Sequence, residues 1–89
     1  MMELQIACRT VTDETGRQRR FHYSLLVEQI ETEHFACENY GVRILEENGC
    51  ASAVPGVTTS ATRIDELFTL LVDNCVGPTA LNDVVADWI

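Results

Sequence analysis

The spacing of apolar residues changes once along this chain of 89 residues, and that change restricts the folds that the chain can adopt. Before Pro55, apolar and polar residues alternate, which is typical of strands with one buried face. After Thr58, apolar residues recur every three or four positions, which is typical of amphipathic helices. The helical spacing is carried by Ile64, Leu67, Phe68 and Leu71, and then by Leu81, Val84, Val85 and Trp88. The order of strands first and helices second predicts an α+β fold.

Turn residues divide the first half of the chain into extended segments. Asp13 to Gly16 predicts a turn with a left-handed glycine, and Asn48-Gly49 is a strong hairpin signal. Gly41 is predicted to mark a bulge or a close backbone approach. The predicted strands cover residues 4–12, 17–31, 35–46 and 50–54, and Pro55 is expected to end the last one at a sheet edge.

The faces of the strands follow from the alternation. In the first strand, Leu4, Ile6 and Cys8 are predicted to share one face. The second strand has Phe21 and Tyr23 on one face, yet it also carries apolar residues on the other. This pattern predicts either a central position in the sheet or a strand that is partly covered on its second side.

The two helices are predicted from the apolar spacing and from capping residues. Thr58, Thr59 or Ser60 can cap the first helix, which has about 14 residues, and Thr79 can cap the second. The fold expected for residues 1–89 is a single α+β domain. It consists of an antiparallel β-meander of about four strands followed by two helices packed on one face. At this length the radius of gyration is expected to be about 12 Å.

Charge restricts the partners of the chain. Fourteen acidic residues oppose six arginines, there is no lysine, and the net charge is −8. Such a surface repels phosphate groups, so nucleic acid and anionic membranes are not predicted partners. No apolar run approaches the ~20 residues that span a bilayer, and the amino terminus does not resemble a signal peptide. These features predict a soluble, cytoplasmic protein without a cofactor.

The four cysteines are predicted to be free thiols packed as small apolar side chains, because each has apolar neighbours. None of them stands in a Cys-x-x-Cys pair. His34 and Cys37 do have the spacing of metal ligands, and Cys50 or His22 could complete a site. A thiol and histidine sensor of metal or redox state is therefore one alternative function.

Three stretches of the sequence resemble a known family. They are residues 39–44 with the Tyr-Gly-Val strand, residues 64–67 in the first helix, and residues 76–89 with a Pro-x-x-Leu-x-Asp-Val motif. Together they resemble short bacterial proteins catalogued only as a domain of unknown function. Many members have histidine where this chain has Ala80. The resemblance implies the same architecture over nearly the whole chain, and it implies no activity.

The leading functional hypothesis is a non-enzymatic protein-interaction domain that forms a homodimer or binds another protein. Apolar residues on the second face of the sheet predict an interface. Arg17, Arg19 and Arg20 could bind an acidic partner, since guanidinium groups bind carboxylates in bidentate fashion. Trp88 could anchor a partner if it is not buried in its own domain. The predicted partner-binding residues are Arg17, Arg19, Arg20, Leu26, Ile30, Leu45 and Trp88.

A small enzyme or ligand-binding protein is the other alternative, with its site between the sheet and the helices. His22 and His34 are candidate general bases, and Asp83 and Asp87 share one helix face as a possible acid–base pair. Neither histidine stands in a recognisable nucleophile motif. No catalytic, cofactor or metal residue is therefore assigned from the sequence.

Overall fold

Four antiparallel strands, paired in the order in which they occur along the chain, form the sheet of this domain. The structure is a computed structural model and describes residues 1–89. The strands are β1 (Met2–Thr12), β2 (Gln18–Glu31), β3 (Ala36–Glu46) and β4 (Ala51–Thr58). Helix α1 (Ala61–Asp73), a short 3-10 helix (Pro78–Ala80) and helix α2 (Leu81–Trp88) follow. The predicted α+β meander followed by two helices is confirmed, as is the central position of β2.

A β-bulge divides β1 into two parts. Leu4 is opposite Leu25, whereas Cys8 is opposite His22, and the register shifts between Gln5 and Ala7. Leu4 and Cys8 therefore lie on different faces, and the prediction that they share one face was wrong. The extra residue in the bulge reverses the alternation that the sequence pattern assumes.

A second irregularity separates β3 from β4. Val42 is opposite Val54, but Tyr40 is opposite Thr58, so β4 contains two more residues than β3 between these pairs. A Cβ atom on Gly41 would lie 2.5 Å from the carbonyl oxygen of Val54. The close approach predicted at Gly41 is confirmed. The prediction that β4 ends at Pro55 was wrong, because the strand bulges at this proline and continues to Thr58.

The helices cover one face of the sheet. The core cluster combines four side chains from β2 and β3 with six from the helices. Its members are Phe21, Tyr23, Val42, Ile44, Ile64, Leu67, Phe68, Leu71, Leu81 and Val85. Burying side chains of this size contributes about 1.5–3 kcal/mol each, so this layer is the main source of stability.

The two helices differ in how their first turns are capped. Ser60 caps α1, since its side chain accepts a hydrogen bond from the Arg63 backbone N–H at 3.2 Å. The prediction that Thr79 caps the second helix was wrong, because Thr79 lies inside the 3-10 turn that begins at Pro78. Helix α2 starts from Ala80 without a side-chain cap. Its position therefore depends on packing, mainly of the buried residues Leu81 and Val85.

The domain is elongated. Its radius of gyration is 14.1 Å and its extents are 54 × 23 × 17 Å. The expected radius of about 12 Å was too small, because that scaling assumes a compact shape. The length comes from the β2–β3 hairpin. Residues 28–31 of β2 extend beyond the first residue of β1, which is opposite Val27, and pair only with β3.

Candidate interaction surfaces

The face of the sheet opposite the helices, here called the open face, is partly covered by its own polar side chains. Arg43 donates to the Glu3 carboxylate at 3.0 Å. Glu3 is opposite Leu26 and Arg43 is opposite Ser24, so this ion pair crosses β2 above both residues. Leu26 is only 5% exposed and Ser24 only 6% exposed. One of the predicted partner-binding residues, Leu26, is thus buried in the single chain.

His22 lies on the open face, as predicted from its alternation with Tyr23. The side-chain amide of Gln5 donates to its Nδ1 at 3.0 Å. The Nε2 atom of His22 lies 3.4 Å from a carboxylate oxygen of Glu47. Cys8 is opposite His22 in the register, but no hydrogen bond joins its thiol to the imidazole. His34 is exposed in the β2–β3 turn, far from His22.

The three predicted arginines lie together at the end of the sheet that contains the β1–β2 turn. They line an open cavity of about 640 Å³ that has no hydrophobic residue in its wall. Arg19 forms an ion pair with Glu46, which raises the pKa of this arginine, and Arg20 lies 3.5 Å from Glu47. Arg17 forms no ion pair. Arg17 is therefore the only one of the three arginines whose guanidinium group is not paired with a carboxylate of the chain.

The turn beside these arginines is built on Asp13. Its carboxylate accepts hydrogen bonds from the Thr15 hydroxyl at 2.6 Å, the Thr15 N–H at 2.9 Å and the Arg17 N–H at 3.0 Å. These donors, the Thr15 hydroxyl above all, lower the pKa of Asp13. Gly16 has a φ of +80°, which is the left-handed conformation predicted for it.

Trp88 is half-buried and packs against the core. The guanidinium carbon of Arg63 lies 4.4 Å from the centre of its ring, at the distance of a cation–π interaction. The aromatic face is thus occupied by a residue of α1. Asp83 and Asp87 are exposed on α2.

The two other predicted apolar residues of the open face do not lie next to each other. Leu45 is half-buried and opposite His22, whereas Ile30 is half-buried and opposite Cys37 in the distal part of the hairpin. The row formed by Ser24 and Arg43 separates Leu45 from Leu26. The structure thus distributes the predicted set over several places and assembles only the arginines.

The distal part of the β2–β3 hairpin, residues 28–39, is here called the arm. It contains four glutamates and no arginine. Thr32 closes its turn, because the backbone N–H of Thr32 donates to the Phe35 carbonyl at 2.7 Å and its hydroxyl accepts from the Phe35 N–H at 3.2 Å. Phe35 is 57% exposed at the tip. An ordered turn therefore presents a large apolar side chain to solvent.

The two edges of the sheet differ. At one edge, β4 contains Pro55 and a bulge, and it packs against α2 and the 3-10 helix. At the other edge, β1 has no neighbour on its outer side, and its first half carries exposed apolar side chains. Met2 is 51% exposed, Leu4 46% and Ile6 48%. Proline, bulges and covering helices normally protect an edge from pairing, and β1 has only its bulge.

The cysteines are free but none of them is buried. Cys8 and Cys50 are exposed, and Cys37 and Cys75 are half-buried. The prediction that all four pack as small apolar side chains was wrong for the exposed Cys8 and Cys50, because their apolar neighbours in sequence lie on the opposite face of a strand or beyond a turn. No group of three or more histidine, cysteine or acidic side chains is arranged to hold a metal ion.

Sequence reasoning did not identify Phe35 or the apolar residues of β1 as surface features. The signal for Phe35 was present, since it is the one aromatic residue in a stretch rich in glutamate. The signal for β1 was hidden, because the exposure of Met2, Leu4 and Ile6 depends on which strands form the edges and on how far the helices extend.

Comparison with known proteins assigns nearly the whole chain to one family. A family model described as a family of unknown function, DUF6514, matches residues 2–89. No curated protein and no solved structure matches the chain. The longest helix has 13 residues, and none of the helices combines the length and the apolar character needed to cross a membrane.

Proposed function

We propose that this chain, which belongs to the DUF6514 family, is a cytoplasmic, non-enzymatic protein-interaction domain. In this proposal the domain is a homodimer, and each copy binds a second protein through the tip of the arm. The observation that supports the proposal is the exposure of Phe35 at the end of an ordered hairpin. Large aromatic side chains in such positions are frequent anchors of protein interfaces.

The arm contributes little to folding. None of its residues belongs to the core cluster or packs against it. A two-stranded ribbon without a third strand is only marginally stable in water, and burial of a phenylalanine contributes about 1.5–3 kcal/mol. Docking of Phe35 in an apolar pocket of a partner would therefore stabilise both the complex and the ribbon.

The charge of the arm indicates the chemistry of its partner. Glu28, Glu31, Glu33 and Glu38 surround the tip, and none of them forms an ion pair with a basic side chain of the chain. A basic surface around an apolar pocket would be complementary to this arm. Complementary charge mainly accelerates association and selects partners, while the buried aromatic residue supplies affinity.

The other residues predicted to bind a partner contribute less to the proposed function. Ile30 lies on the arm and is part of the proposed interface. The arginine cavity is a second candidate surface, in which Arg17 is the free guanidinium group for an acidic partner. The ligand-binding or enzymatic alternative and the sensor alternative remain predictions, and no particular observation favours them.

Site-specific photo-crosslinking in the cells that make the protein tests the arm. A benzophenone amino acid replaces Phe35 in one variant and Thr69, an exposed residue of α1, in the control. We expect covalent adducts with one or a few proteins from position 35 and not from position 69. Replacing the four glutamates of the arm by glutamine should reduce the yield. An absence of adducts at position 35, or the same adducts at both positions, contradicts the proposal.

A further inference from the structure

We propose that two copies associate by antiparallel pairing of β1 with β1, in the register that places Leu4 opposite Leu4 of the second copy. This inference rests on the homodimer of the proposed function and assigns a surface to it. The pairing joins two four-stranded sheets into one sheet of eight strands. It is independent of the proposed contact of Phe35 with another protein.

The edge at β1 is suited to pairing. Its outer N–H and C=O groups have no partner within the chain, since β1 pairs only with β2. Exposed Met2, Leu4 and Ile6 lie along the first half of the strand. A long edge strand with apolar side chains is the usual site of strand addition. The β4 edge is blocked by Pro55, its bulge and its helices, so the chain offers a single edge and closes as a two-fold dimer.

The first half of β1 is self-complementary in this register. Met2 is brought opposite the bulge at Ile6 of the second copy, which continues an apolar row on the helix-covered face. Glu3 is brought opposite Gln5, so no two carboxylates meet across the new strand pair. Glu3 is also balanced by Arg43 within its own copy. Strand β1 contains one acidic residue and one arginine and therefore has no net charge, whereas the whole chain has a net charge of −8.

The second half of β1 supplies a charge argument for a second copy as the partner. Beyond the paired segment, Arg9 lies two strand positions away from the arm of the second copy. Counting along the observed registers places Arg9 level with Gln29 of the second copy, beside Glu31 and Glu38. Arg9 is opposite Phe21, and Gln29 lies two residues beyond Val27 on the same strand. Phe21 and Val27 belong to the helix-covered face, so Arg9 and Gln29 lie on that face as well.

The separation between the two backbones is about 10 Å, which is two strand spacings. The attraction between Arg9 and the acidic arm of the second copy is therefore partly screened at 0.1 M salt and becomes stronger as the salt concentration falls. Arg9 forms no ion pair within its own chain. An unpaired arginine on an otherwise nearly uncharged edge thus meets the most acidic element of the second copy.

Sedimentation equilibrium of the full chain and of three variants tests the interface. We expect the wild-type chain to dimerise reversibly. Leu4→Lys should raise the dissociation constant at least ~10-fold, because it places two ammonium groups together at the centre of the interface. Arg9→Glu should raise it several-fold. Arg63→Glu makes the same charge change at another arginine that forms no ion pair, on helix α1, and should leave it within about two-fold. Circular dichroism confirms that each variant is folded.

Disulfide trapping tests the register. In a chain whose four cysteines are replaced by serine, Leu4→Cys should give a disulfide-linked dimer on mild oxidation. Thr10→Cys, on the same strand, should not, because position 10 lies outside the segment, Met2 to Ile6, that pairs with itself in this register. A dimer that is unaffected by Leu4→Lys and not trapped through position 4 overturns this interface while leaving the proposed homodimer intact. A monomer at every concentration overturns both, and neither result affects the crosslinking test of Phe35.

Discussion

The substitution Gly41→Ala adds one methyl group at the point where β4 passes over β3. The added Cβ would lie 2.5 Å from the carbonyl oxygen of Val54 and 2.6 Å from the Cα of Pro55. Favourable contacts between such atoms occur at about 3.5–4.0 Å, so β4 has to move by about 1 Å. Both neighbours are backbone atoms, and no side-chain rotation relieves the contact.

The expected cost is at the upper end of the range for overpacking. Added methyl groups in packed interiors typically cost about 1–3 kcal/mol. Strand β4 also contacts α2 and the 3-10 helix, so its displacement disturbs the packing of the helices. We expect Gly41→Ala to lower the free energy of unfolding by about 3 kcal/mol. Gly77→Ala is the control, because its Cβ would meet only the Phe21 ring at 3.3 Å and should cost less than about 1 kcal/mol.

Guanidinium denaturation followed by circular dichroism measures both values, and a double-mutant cycle identifies the cause. Deleting Pro55 and Gly56 removes the two extra residues of β4 and restores regular pairing opposite Gly41. In that background Gly41→Ala should cost less than about 1 kcal/mol. An equal cost in both backgrounds, or no cost in the wild-type chain, would refute the explanation by close approach.

Two further predictions concern hydrogen bonds of titratable groups. The buried Tyr23 hydroxyl donates to the Val76 carbonyl at 2.9 Å, so Tyr23→Phe should lower the free energy of unfolding by about 1 kcal/mol at neutral pH. Burial raises the pKa of Tyr23 to about 12, whereas an unfolded tyrosine titrates near 10. The contribution of Tyr23 to stability is therefore complete below pH 10 and is lost between pH 10 and 12. Urea denaturation at alkaline pH should show a smaller fall in stability in Tyr23→Phe. For Asp13, whose pKa is lowered, the contribution to stability is present above the unfolded pKa near 4 and is lost as the pH falls through the folded value. In Thr15→Ala the pKa of Asp13 should rise towards its ordinary value in an NMR titration, and an unchanged value contradicts the assigned cause.

The positions of the elements could be predicted because burial on one face imposes a period. Phe21 and Tyr23 in β2 and Leu67 and Leu71 in α1 follow that period, and all four are buried. Turn residues were equally informative, since Gly16 and Gly49 do have positive φ angles. These signals are local, and a single sequence is sufficient to find them.

The errors come from effects that are not local. The bulge between Gln5 and Ala7 has no glycine or proline to signal it, so alternation was continued across it. Pro55 was interpreted as a strand end, although an edge strand can continue past a proline that needs no ladder hydrogen bond. The exposure of Cys8 and Cys50 depends on which face the helices cover.

The candidate surfaces were the least predictable features. The arginine group was found from its sequence clustering, yet its pairing with Glu46 and Glu47 depends on strand register. Leu26 lies beneath an ion pair between β1 and β3, two strands that come together only through the strand order. The exposure of Phe35 follows from the unequal lengths of the strands, because β2 and β3 extend beyond their neighbours.

The proposed function requires that the arm serves binding and is dispensable for folding. The second requirement can be measured by equilibrium unfolding of a chain in which residues 30–37 are replaced by Asn-Gly. This change preserves the pair formed by Gln29 and Glu38 and supplies a two-residue hairpin turn. We expect a cooperative transition with a free energy of unfolding within about 1 kcal/mol of that of the intact chain. Loss of the cooperative transition, or destabilisation by several kcal/mol, would show that the arm belongs to the folded core and would contradict the account.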